Sequence, residues 1–233
     1  MNKELDFVKT MFDRIAPRYD FLNRFLSLRQ DVFWRREMVK SARLETGSRV
    51  LDAACGTCDV SLEIDRQLKG ETTVFGLDFS YGMLKSGRSK LSKSGIRNIS
   101  LLNSDALYLP FSKDRFDAVF IAFGIRNIMD RQRAVDSFFD ILKSGGRLVV
   151  LELATPEKGV LRSLYLFYFK KILPVIGSFF SKDNHAYSYL PESVLKFPTA
   201  PEFCKFFNRA GFEKIRYRQM TFGIVTLFIG CKP

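Results

Sequence analysis

A chain of 233 residues with 46% hydrophobic and 27% charged side chains is long enough to bury one sizeable core, and its balance argues against disorder or a fibrous design. A net charge of +12 attracts something anionic, nucleic acid or anionic lipid being the usual candidates. Four cysteines without a secretory signal argue against a disulfide framework, and one histidine, His185, leaves histidine catalysis and His-rich metal sites almost no material. The 24 phenylalanines favour a large apolar pocket or a membrane-facing surface over a nucleic-acid groove.

Residues 1–48 read as a helical preface with apolar residues at helical spacing, broken at Pro17. Such a preface forms either a lid over the following domain or a packing extension. From residue 49 the pattern alternates. RVLDAA (49–54) is strand one, and a helix follows to about Lys69. TTVFGLD (72–78) is strand two, and 80–95 is a helix with Ser80 as N-cap and Gly95 as its stop. NISLLN (98–103) and FDAVFIAF (116–123) are strands three and four. A helix over 131–143, a turn at Gly145-Gly146 and a fifth strand over 147–153 come next. The segment 159–181 is the most apolar in the chain, but Arg162, Lys170, Lys171 and Pro174 interrupt it. A membrane span is therefore not expected, which leaves a core or lid helix or an amphipathic helix in a membrane interface. A loop over 181–198, a helix from Pro201, and two strands turning about Thr221 close the chain.

Strands alternating with helices predict a doubly wound, mostly parallel α/β sheet, whose ligands bind beyond the carboxyl ends of the strands. Asp52, Gly56, Asp78, Asp105 and Gly124 all fall there. An acidic residue ending strand two can accept from both hydroxyls of a ribose, so Asp78 suits a nicotinamide dinucleotide or S-adenosylmethionine. The dinucleotide fingerprint needs GxGxxG, and here only Gly56 stands, with Cys58 and Ser61 at the later positions. Asp52 with Gly56-Thr57 suits the cationic sulfonium and amino-acid end of S-adenosylmethionine better, and Asp105-Ala106 falls where an adenine amino group is read. Cys55 and Cys58 also spell CxxC, but they read as small residues lining the turn and not as a redox dithiol. Arg126-Asn127 after strand four can hold an anionic oxygen and orient a water or hydroxyl, or Arg126 can simply pair with a carboxylate. Aromatics are not interleaved with the basic runs, so nucleic acid is not the expected partner.

The sequence resembles the ubiquinone/menaquinone C-methyltransferase family over nearly its whole length. Tyr19-Asp20, Asn23, Ser27 and Trp34 match the signature YDxMNxxxSxxxHxxW, and Leu142 to Glu152 match a second one. Gly56-Thr57 with Asp59, Leu109 to Phe111, Phe123-Gly124 with Arg126-Asn127, and Tyr187 to Leu190 with Glu192-Ser193 also fit. Departures are Leu22 for Met, Asp31 for His, Cys58 for a glycine, Ser144 for Pro and Ala154 for Ser; Ala122 stands where relatives often place a cofactor-contacting Ser.

This resemblance implies the class I methyltransferase sheet, parallel except for one strand near the end. It implies methyl transfer from S-adenosylmethionine to a ring carbon of a polyprenyl quinol in menaquinone or ubiquinone biosynthesis, most of all demethylmenaquinol. Thr57, Asp78, Asp105 and Ala106 are the cofactor contacts carried over, with Asp52, Gly56 and Ala122 around them. Arg126 and Asn127 are expected to stabilise the quinolate, Tyr187 is a further candidate, and Asp20 or a water takes the proton. Residues 1–48 then form the lid, 49–233 the catalytic domain, and 156–200 an inserted substrate- or membrane-facing segment. The enzyme is expected in the cytoplasm on an anionic membrane surface, with a homodimer left open. A methyltransferase acting on RNA or another small molecule, and a non-catalytic scaffold of a quinone-biosynthesis complex, are the competing readings.

Overall fold

The computed structural model describes residues 3–156, 159–168 and 184–233. Among them the sheet has seven strands in the order β3-β2-β1-β4-β5-β7-β6. These are β1 (Arg49–Ala53), β2 (Thr73–Asp78), β3 (Ile99–Asn103), β4 (Phe116–Ala122), β5 (Leu142–Leu153), β6 (Glu213–Met220) and β7 (Val225–Cys231). Strands β1 to β5 pair in parallel, while β7 runs antiparallel to both β5 and β6. One reversed strand near the carboxyl end is therefore present, as expected. The order reverses between β1 and β4, which opens the crevice where such sheets bind ligands.

Alternation along each strand divides the core into two layers. Val50 and Phe120 face a layer containing Trp34, Met38 and Ile64, whereas Leu51 and Ile121 face one containing Phe138, Phe203 and Phe207. Each fully buried Leu, Ile or Phe contributes roughly 1.5–3 kcal/mol relative to exposure. Gly230 on β7 belongs to the second layer for a steric reason: a Cβ there would lie 2.6 Å from the Phe207 ring.

The helices of the sheet domain begin where the sequence offers caps. Helix α4 spans Asp59–Leu68, and α5 spans Tyr81–Lys93. Ser80 accepts from Met83 N at 3.2 Å, and Gly95, at φ +67°, follows the end of α5. Helix α6 (Arg131–Ile141) starts on Asp130, which accepts from Arg133 N. Helix α7 covers Val160–Phe167, α8 Asn184–Leu195 and α9 Ala200–Ala210. Thr199 and Glu202 form a reciprocal capping box on α9.

Two expectations need correction. Helix α6 stops at Ile141, and β5 begins at Leu142, so Gly145-Gly146 lie within an irregular strand and not in a turn before it. The register with β4 jumps from Phe116↔Leu142 to Ala118↔Arg147, and the two glycines absorb the bulge. The stretch expected as a loop over 181–198 contains α8, with Pro191 inside it. Of the apolar segment 159–181, α7 carries the first part, and residues 169–183 lie outside the described residues.

The preface consists of α1 (Lys3–Ile15), a tight turn at Ala16–Arg18 that includes Pro17, α2 (Tyr19–Leu26) and α3 (Gln30–Ser41). Val8, Met11 and Leu22 pack together against Phe79 and Tyr189. Asp13 on α1 accepts from Ser80 Oγ at 2.6 Å and from Gly82 N at 2.8 Å. The first helix thus caps the start of α5.

Candidate active site

Two adjoining cavities lie at the carboxyl ends of the strands. The smaller, about 140 Å³, is lined by Gly56, Asp78, Asp105, Ala106, Ala122 and Asn127, among others. The larger, about 340 Å³, opens between the preface and α7 and α8; Asp31, Arg126, Tyr165 and Tyr189 line it among mostly apolar neighbours. Phe12, Tyr19 and Phe123 line both. These three rings are the shared wall.

Local backbone explains the smaller cavity. The turn after β1 places Ala54, Gly56 and Cys58 at φ +52°, +54° and +69°, a conformation that costs non-glycine residues energy and recurs at functional turns. Gly56 N donates to Asp78 Oδ2 and Ser80 N to Asp78 Oδ1, both at 2.8 Å. The carboxylate is thereby aimed and keeps lone pairs for a ligand's hydroxyls. Burial pushes Asp78 up to about 6, against the backbone bonds that lower it. Asp105 Oδ1 accepts from Leu107 N at 2.9 Å, which fixes the loop after β3.

Asp52 has a different task from the one expected. It lies under the turn at 1% exposure, its Oδ2 accepts from Ser61 N and Ser61 Oγ at 3.0 and 2.6 Å, and it does not line the cavity. Its Oδ1 is buried without a partner, and burial pushes this carboxyl up to about 7. Thr57 and Asp20 also stand away from both linings. Thr57 Oγ1 donates to Asp20 Oδ1 at 2.5 Å, and Lys90 Nζ reaches Thr57 Oγ1, Asp59 Oδ1 and Asp20 Oδ2 at 3.1, 2.7 and 2.8 Å. The network continues from Asp59 to Arg24 at 3.0 Å, and both Arg24 and Arg35 pair with Asp31. Alternating charges thus tie α2 and α3 to the first turn. Cys55 and Cys58 are free and buried, and hydrogen bonding between them, with burial, raises the Cys55 thiol, unlike a reactive dithiol.

Arg126 and Asn127 diverge. The Arg126 guanidinium pairs with Glu152 Oε1 at 2.8 Å and also donates to Phe123 O, while Glu152 has no exposed surface. The carboxylate-pairing alternative for Arg126 is therefore realised, and the side chain still lines the larger cavity. Asn127 instead lines the smaller cavity, and its Oδ1 accepts from Tyr189 Oη at 3.1 Å. Tyr187 falls in α8, but its side chain lies outside the described residues. The sequence offers Tyr19, Phe123 and Tyr189 only as motif matches, and nothing in it singles out Phe12. Desolvation raises the Tyr19 hydroxyl, with Arg35 and Asn23 opposing that shift.

The strand order, the single reversed strand and the cavity at the switch point define the class I methyltransferase fold. Solved structures agree: a SAM-dependent methyltransferase from Aquifex aeolicus aligns at TM-score 0.64 with 16% identity over 85% of this chain and 89% of that one. A phosphoethanolamine N-methyltransferase from Haemonchus contortus, solved with S-adenosylhomocysteine, aligns at 0.62 with 16% identity, covering 82% of this chain and 50% of that one. The chain belongs to the ubiE/COQ5 methyltransferase family, whose model matches residues 1–232. A ubiquinone/menaquinone biosynthesis C-methyltransferase UbiE from Geobacter sulfurreducens is 46% identical over 97% of this chain and 88% of its own length. A demethylmenaquinone methyltransferase from Bacteroides fragilis is 39% identical over 99% and 94%.

Proposed function

We propose that this protein methylates a ring carbon of a polyprenyl quinol, demethylmenaquinol above all, using S-adenosylmethionine. The observation that carries the reading is the pair of cavities sharing Phe12, Tyr19 and Phe123. The smaller sets the carboxyls of Asp78 and Asp105 among apolar walls, which suits a nucleoside, while the larger is more apolar still and suits a ring with a hydrocarbon tail. The residues present fit the cofactor: an aimed carboxylate at Asp78, a close-approach turn at Gly56, and Asp105-Ala106 across the cavity. When bound, S-adenosylmethionine supplies an electrophilic methyl group.

The protein's part is alignment and the making of a nucleophile. Holding two reactants in line can supply roughly 7–11 kcal/mol in well-oriented systems. Asp78 would hold the ribose, Ala122 and Ala106 would leave space for the flat base, and Phe123, which lines both cavities, would border the point where methyl donor and ring carbon meet. A quinol carbon gains nucleophilicity as its neighbouring hydroxyl loses its proton. Arg126 stabilises that oxygen while Glu152 keeps the guanidinium in place, so the arginine is preorganised before the substrate arrives. Asp20 lines neither cavity, and Asp31, which lines the larger one, is held by Arg24, Arg35 and Ser27, so a water is the acceptor of that proton. Asn127 and Tyr189 brace the passage between the cavities.

The test is calorimetric titration with S-adenosylmethionine followed by methyl transfer to reduced demethylmenaquinone in detergent. Binding with product supports the proposal. Binding without product on demethylmenaquinol or demethylated benzoquinols would remove the quinol assignment, and no binding would favour the scaffold reading.

A further inference from the structure

Two tight turns beside the larger cavity expose large apolar side chains in an unfavourable backbone conformation. Between α2 and α3, Leu28 is 83% exposed at φ +50°; between β6 and β7, Phe222 is 80% exposed at φ +58°. Asparagine or glycine would occupy either position with less strain. Both turns belong to the cavity's rim, since Leu28 and Thr221 line it and Trp34 Nε1 donates to Thr221 Oγ1 at 2.8 Å. The apolar surface continues along α2, where Phe21 and Phe25 stack at 6.1 Å between ring centroids and are both about half exposed.

The charge beside this surface is mainly basic. The solvent face of α3 carries Arg29 at its start, then Phe33, Arg36 and Lys40, with Arg43 just beyond its end; the acids there are Glu37, partly buried and paired with Lys40 and Arg218, and Glu45 past Arg43. Aromatic and basic residues sharing a helix face suit the boundary between headgroups and acyl chains. No helix among the described residues is long and apolar enough to cross a membrane.

We infer that the Leu28 and Phe222 turns, with the exposed faces of α2 and α3, dock on the surface of an anionic lipid bilayer, so that the larger cavity opens towards the acyl chains. This rests on the quinol reading for the cavity's purpose, because a prenylated substrate resides in that layer. A second copy of the chain is the poorer occupant, since it brings the same +12 charge and the same arginines to the contact. Leu28, Phe25 and Phe222 enter the acyl boundary, while Arg29 and its neighbours meet the headgroups.

The experiment is cosedimentation of the full-length protein with phosphatidylcholine vesicles, with and without phosphatidylglycerol. It compares wild type with the double variant Phe25→Gln/Phe222→Asn, which spares every cavity-lining residue. Wild type should bind mixed vesicles and lose binding without the anionic lipid; the double variant should bind mixed vesicles about tenfold more weakly. Turnover of a short-chain, water-dispersed quinol should be unchanged in the variant, while turnover of a long-chain quinol in vesicles falls. Equal vesicle binding by variant and wild type overturns the assignment. So does a wild-type dimer that the two substitutions dissolve while vesicle binding stays intact. Vesicle binding that needs these residues, together with no methylation of either quinol, supports the docking surface and overturns the quinol reading alone.

Discussion

Substituting Asp52 by Asn should flatten the pH dependence of stability. The buried carboxyl has Ser61 on one oxygen and no partner on the other, and its pKa is pushed up to about 7 from an ordinary 3.8. In that window the folded state binds a proton that the unfolded state has released. Asp52 therefore contributes stability that is fully present below pH ~3.8 and is lost as pH rises through about 7. The full difference is about 4 kcal/mol, approaching 1.4 kcal/mol per pH unit in mid-window. Asn keeps the acceptor for Ser61 and removes the ionisation. Urea unfolding at several pH values from 4 to 8 should show wild type losing stability with rising pH more steeply than Asp52→Asn, with the two curves diverging towards pH 8. Carboxylates such as Asp59 and Asp117, whose pKa values are lowered, act equally in both proteins and cancel. Parallel curves would refute the reasoning and mean that water or a cation compensates Oδ1.

At Asp78, Asn should weaken S-adenosylhomocysteine binding roughly 10- to 100-fold by calorimetry, as expected for loss of charge-assisted hydrogen bonds. Wild-type affinity should also fall as the pH drops through about 6, where Asp78 gains its proton, and the variant should not follow. Arg126→Met alone leaves Glu152 buried without its counter-ion, with only the Arg126 and Leu153 amides still donating to it, at a cost of about 3 kcal/mol. Arg126→Met/Glu152→Gln should recover most of that in urea unfolding and retain cofactor binding, yet stay inactive; full turnover by the double variant would remove Arg126 from the chemistry. A Cβ on Gly87 would lie 2.4 Å from Cys58 Sγ, so Gly87→Ala should destabilise by about 1–3 kcal/mol. Adding Cys58→Gly should rescue it, and a double-mutant cycle with no coupling would contradict that packing.

The sheet was legible because its strands alternate with capped helices and end in acidic or small residues, as at Asp78 and Asp105. Ser80 and Gly95 bracket α5 as read, because an N-cap oxygen and a left-handed glycine act within a few residues. Long-range partners were not legible. Glu152 stands 26 positions from Arg126, and Lys90 stands 31 from Asp59; no periodicity connects such pairs. Helix α8 was missed because Pro191 and polar residues obscure its pattern, and packing on the preface overrides weak local preference. Asp52 misled because its position at the end of β1 is shared with ligand-facing carboxylates, whereas its orientation is set by Ser61.

Asp13 fastens the preface to the sheet domain. By capping α5 from outside the sheet domain, it closes a seam directly beside Asp78, and Phe12 on the same helix turn walls both cavities. Ser80 donates its amide to Asp78 and its hydroxyl to Asp13, so one residue joins the first helix to the carboxylate at the end of β2. A displacement of α1 would therefore be felt two residues from Asp78, which couples the placement of the preface to the aim of that carboxylate.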